Sequence, residues 1–91
     1  MHPSVPRDEA LRILDNIREK NNREILAILA EEQANEAQRE AKLREVRDEA
    51  EKNRLEKIFG IERARASERI VSTSDRHEAQ LREEMKRLGL M

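Results

Sequence analysis

The 91-residue chain has no cysteine, tryptophan or tyrosine, only two glycines and two prolines, and a single aromatic residue, Phe59. Each shortage closes off a class of protein. Without cysteine there is no disulfide framework, thiolate metal site or thiol nucleophile. Phosphate-cradling loops need several glycines close together, and Gly60 and Gly89 stand far apart. Single-stranded nucleic acid and RNA are bound largely by stacking on aromatic side chains, of which there is one. The longest uncharged apolar run is the six residues 25–30, Ile-Leu-Ala-Ile-Leu-Ala, against about 20 needed to span a bilayer. No transmembrane segment is expected. The N-terminal stretch carries Asp8 and Glu9 early and resembles neither a secretory signal nor a transit peptide. The expected location is intracellular and cytoplasmic.

Charge of one sign is also missing. The 19 basic and 20 acidic residues nearly cancel, and their fine interleaving suits solvated helical faces rather than a self-repelling coil. Arginine outnumbers lysine by 14 to 5, and Arg65, Arg69 and Arg76 occupy related helical positions with Arg63 near them. Residues 60–91 nevertheless balance seven basic against six acidic side chains. A backbone-binding surface needs a clear positive excess, so nucleic-acid binding is expected less than association with other proteins.

Reactive groups are equally sparse. His2 and His77 are the two histidines, and no Glu-x-x-His pair, His-Glu-x-x-His run or EF-hand loop accompanies them. His77 reads as a helix residue at an interface or in solvent, not as a metal ligand. Ser67, Ser72, Thr73 and Ser74 lack a nucleophile elbow. The many carboxylates lack the aromatic or aliphatic walls that build a cleft and shift a pKa. No metal, no cofactor and no enzymatic activity are expected.

What remains is material for helices. Leu, Ile, Val and Phe make up 20 of the 91 residues, too few for a substantial private core in so short a chain. Pro3 and Pro6 favour an extended arm over residues 1–5. Pro6 suits a first helical position, with Asp8 and Glu9 where the helix dipole favours acids. No glycine or proline occurs between Arg7 and Phe59, so the spacing predicts one long helix over 6–59. A stripe of Leu11, Leu14, Ile17, Asn21, Ile25 and Ile28 has near-heptad spacing. Two readings stand at Asn21-Asn22: a buried register-setting asparagine within a continuous helix, or an interruption with Asn21 capping a new one. The continuous helix is preferred, since neither glycine nor proline supports a break.

Beyond it, Ala30, Ala34, Ala37 and Ala41 follow 4-3-4 spacing before the stripe shifts to Leu43, Val46 and Ala50. They read either as a thin contact edge or as simple helix propensity. Gly60, within the cluster Leu55, Ile58, Phe59 and Ile61, predicts a bend. Residues 60–91 then form the bend and a shorter returning helix. Asp75 with Glu78 reads as a capping box. Lys86 and Arg87 before Gly89 and Leu90 read as a Schellman end.

The expected fold is all-α and elongated: a long helix, a bend near Gly60 and a shorter return, coiled-coil-like, oligomeric or partner-bound. The expected function is non-catalytic, as a structural or assembly protein that self-associates or serves as a rod-like subunit of a larger complex. The alternative is a helical regulator seated in a groove of an enzyme or receptor. The expected partner is another copy or another helical protein. The candidate interface residues are Leu11, Leu14, Ile25, Leu26, Ile28, Leu29, Leu55, Ile58, Phe59, Ile61, Ile70, Leu81, Met85 and Leu88.

Overall fold

The computed structural model describes residues 5–90. His2, Pro3 and most of the expected arm over 1–5 lie outside them. The fold is all-α: helix α1 (Arg7–Glu45) and helix α2 (Glu49–Arg87), each of 39 residues, form one antiparallel hairpin. Its extents are 71 × 16 × 10 Å.

The chain reverses at residues 46–48, not at Gly60. Val46 (φ −84°, ψ 127°) and Asp48 (φ −83°, ψ 123°) are extended, which is enough to end one helix and start another without glycine or proline. Asp48 caps α2, its Oδ1 accepting from the Ala50 N–H at 3.3 Å, while its carbonyl accepts the first intrahelical bond from the Lys52 N–H at 2.9 Å. Glu49 and Glu51 fill the first turn of α2, where acids favour the helix dipole. Replacing Asp48 with alanine is expected to cost about 1 kcal/mol. Thermal unfolding followed by circular dichroism would register this as a midpoint drop of roughly 4–8 °C.

Gly60 lies inside α2, on its exposed side, where an added Cβ would meet nothing within 4 Å. One interior glycine weakens a helix by only about 1 kcal/mol, and the packing of α2 against α1 outweighs that. The same packing carries α2 without a break through Ser72-Thr73-Ser74-Asp75, so no new helix begins at Asp75. Likewise α1 runs unbroken through Asn21-Asn22. At the far end Gly89 takes φ 75°. Its N–H donates to the Lys86 carbonyl at 3.1 Å, and the Leu90 N–H to the Met85 carbonyl at 2.9 Å. This is a Schellman motif, with Leu90 packed back onto the core.

The face of α1 turned to α2 runs through Leu14, Ile17, Asn21, Ile25, Ile28, Glu32, Asn35 and Arg39, all buried or half-buried. Their steps of three and four average close to the 3.6-residue period of a straight helix, which calls for little supercoiling. Ala27, Ala30, Ala34, Ala37 and Ala41 are exposed. They are not the seam to α2 but line the opposite side of α1, where alanine supplies helix propensity.

Apolar packing concentrates at the open end of the hairpin. Ala10, Leu14 and Leu88 form a buried cluster, with Val5, Ile13, Leu81, Met85 and Leu90 packed around it. Leu14 is the deepest large side chain, 2% exposed. Toward the turn, buried apolar residues thin out to Ile28 and Phe59, and polar side chains take over the seam.

Candidate functional site

The polar part of the seam is a ladder of ion pairs between the helices. α1 supplies carboxylates and α2 arginines: Glu36 pairs with Arg63, Glu31 with Arg69 and Glu24 with Arg76. Arg63 grips Glu36 through two nitrogens, its Nε 2.8 Å from Oε1 and its Nη2 also on the carboxylate. Antiparallel helices bring these residues together because their numbers fall along α1 as they rise along α2.

One rung is reversed. Arg39 of α1 is buried, 7% exposed, and donates to Glu62 Oε1 at 2.9 Å and to Glu32. A guanidinium so placed has exchanged water for these carboxylates and depends on them. Slipping α2 by one helical turn would present Ile58 or Ala66 in place of Glu62, leaving the buried charge with one partner fewer. Arg39 therefore helps fix which turn of α2 faces which turn of α1.

His77 is also buried and lies with Nε2 3.2 Å from Glu24 Oε2. That hydrogen bond, opposed by partial desolvation and reinforced by the charge of Arg76, holds the Glu24 carboxyl below its usual range. Hydrogen bonds from Arg63 do the same for Glu36, and those from Arg87 for Glu84. Hydrogen bonds to Glu32 and Glu62 raise Arg39, and those to Glu36 raise Arg63.

The carboxylate shifts make acid destabilising. A carboxyl whose folded pKa lies below its unfolded value binds fewer protons when folded, so its contribution is complete above the unfolded pKa. It is lost as pH falls through the lowered folded pKa. The unfolded values lie near 4.3, so the melting midpoint should hold at about pH 5 and fall progressively toward about pH 3. Circular dichroism melts across that interval check the sign; a midpoint that rises would show that these pairs do not hold the hairpin.

Two open grooves lie between the helices on one side. One is lined by Arg18, Asn21, Asn22, Ser74, His77, Glu78 and Leu81. The other is lined by Leu29, Glu32, Gln33, Glu36, Arg63 and Ser67. On α1 the outer lining residues 18, 22, 29, 33 and 36 fall at helical steps, and on α2 so do 63, 67, 74, 78 and 81. The two are therefore stretches of a single groove along one face. Asn21 is 8% exposed, and its Nδ2 has no hydrogen-bond partner. A third groove, on the other face, holds Asn35, Gln38, Lys42, Phe59 and Arg65 around the Arg39 network.

The candidate interface residues divide between these settings. Leu14, Ile28, Phe59 and Leu88 are buried within the hairpin itself. Ile25, Leu55, Ile70, Leu81 and Met85 are half-buried at its edges. Leu11, Leu26, Leu29, Ile58 and Ile61 stay exposed, joined by Val71. The hexapeptide 25–30 is thus split, with Ile28 facing α2 and Leu26 turned to solvent at 62% exposure. The sequence stripe already includes Asn21 as a buried seam asparagine, and His77 reads as an interfacial or solvated helix residue; Arg39 is the buried seam residue that reading by residue type missed. The available signal was positional, since Arg39 continues the period of Leu14, Asn21 and Ile28.

Ser74 and His77 share a groove, yet the backbone amides beside them are engaged in the helical bonds of α2, leaving no donors for an oxyanion. Among the described residues no group of His, Asp and Glu gathers into a metal-ligand set. No described helix is long and apolar enough to cross a membrane. No protein-family model, curated protein or solved structure matches this chain.

Proposed function

We propose that the chain is a non-catalytic structural or assembly protein that works by helical association along its length, with copies of itself or as a rod-like subunit of a larger complex. The observation carrying this reading is the mismatch between a narrow hairpin and the apolar side chains it leaves outside. Leu11, Leu26, Leu29, Ile58, Ile61 and Val71 remain exposed on a body only 16 × 10 Å in its shorter extents. Its recognisable features are grooves, register-setting charges and caps, all of which serve packing.

Sedimentation equilibrium combined with circular dichroism over a concentration series tests the reading. The expected result is a mass above the 10.7 kDa of one chain in the micromolar range, with thermal stability rising with concentration. A cooperatively folded chain that stays monomeric throughout overturns self-association.

A further inference from the structure

The geometry points to a second copy of this chain as the occupant of the groove beside Asn21, lying antiparallel with α1 against α1 and the two turns at opposite ends. This rests on the assembly reading above and specifies its partner and packing.

The exposed area suits a partner of this size. The chain exposes 7434 Å², whereas a compact monomer of its mass exposes roughly 5,500 Å². The excess, on the order of 1,900 Å², more than covers the approximately 800 Å² that each partner contributes to a standard interface.

The grooved face is also self-complementary. A two-fold symmetric interface must match its own surface, residue i meeting j where j meets i. The grooved side of α1 is a palindrome in chemistry about Ala27, near the middle of the helix. Equal distances to either side of Ala27 lie Ile25 and Leu29, Arg18 and Glu36, and Leu11 and Leu43. Crossing α1 with its antiparallel copy at that level sets apolar on apolar and arginine on glutamate. Arg18 is free for this role, since its intrachain contact is a single exposed one to Asp15 at 3.6 Å. Glu36, held by Arg63, retains acceptor capacity for a second arginine.

An orphaned donor lies in the same groove. Asn21 lines this groove with its Nδ2 unpartnered, so a polar acceptor carried into the groove by the copy would satisfy a donor that the single chain leaves open. On α2 the groove is edged by Ser67 and Ser74, small enough to admit a neighbouring helix.

Disulfide trapping tests the arrangement, and the chain has no cysteine to interfere. Leu11 and Leu43 of one chain are separated by roughly 48 Å of helix at about 1.5 Å per residue, so a bond between those positions can form only between copies. The double variant Leu11→Cys/Leu43→Cys should oxidise to a covalent dimer in high yield, and neither single variant should. Efficient cross-linking of Leu11→Cys alone would mean a parallel pair. That result, or a double variant no better than the singles, overturns this packing while self-association stands. A folded monomer at every concentration overturns both. As a second measurement, Arg18→Glu places two glutamates together at each Arg18–Glu36 contact and should weaken the dimer at least about tenfold with helicity retained. An unchanged dissociation constant rejects the pairing.

Discussion

Replacing Leu14 with alanine should lower the thermal midpoint of the hairpin by roughly 10 °C or more, the largest single loss expected in the molecule. The side chain is 2% exposed and sits at the centre of the cluster with Ala10 and Leu88. Truncating a buried leucine costs about 2–5 kcal/mol, through lost transfer energy and the cavity left behind. In a domain of this size each kcal/mol moves the midpoint by roughly 4–8 °C. Relaxation offers little relief, because two helices have no third element to close over the gap. Leu26→Ala is the control: with that side chain 62% exposed, the midpoint should stay within the small range of surface substitutions. If the two variants melt alike, the apolar latch at the open end is not what holds the helices together.

Asn21→Leu is expected to act in the opposite direction and to stabilise the isolated hairpin by about 1–3 kcal/mol. Leaving a buried donor unsatisfied costs about 1–3 kcal/mol, and Asn21 Nδ2 is such a donor. Leucine has a similar size and continues the apolar line of Leu14, Ile17 and Ile28. The gain should carry a loss of uniqueness, because a polar group at a helix–helix seam holds partners to one register. Melts at low concentration read the first effect, and the distribution of sedimenting species at high concentration reads the second. A lower midpoint for the variant in dilute solution would show that the amide is already satisfied within one chain.

Much of the architecture was legible in the residues. Sparse glycine and proline, near-cancelling charges and helical spacing lead to an elongated all-α chain. The order Lys86-Arg87-Leu88-Gly89-Leu90 spells the Schellman end. The position of the reversal was not legible from glycine and proline, because a helix can stop wherever two residues turn extended and the next helix is capped. Val46 and Asp48 do this with ordinary backbone angles. The cue was the spacing of Asp48 and Glu51, which matches a capping box as well as Asp75 and Glu78 do. Both pairs look alike locally, but only the first divides the chain into two helices of equal length.

The alanine stripe misleads for a related reason. Hydropathy picks out Ala30, Ala34, Ala37 and Ala41 over Glu32, Asn35 and Arg39. Yet the polar set faces α2, where Arg39 answers Glu62 on a helix far away in sequence. Pairing information of that kind does not reside in a single segment. The same applies to His77, whose burial depends on Glu24 lying 53 positions earlier.

The apolar cluster sits where both ends of the described chain emerge, since Val5 and Leu90 pack on the same residues. A pulling force applied between the two ends would therefore peel the helices apart like a zipper, and its first obstacle would be the tightest contact in the molecule. Past Leu14 and Leu88 the tension would meet mainly the ladder of ion pairs, whose exposed rungs give way singly. Mechanical opening should show one initial rupture followed by easy extension down to the turn at Asp48.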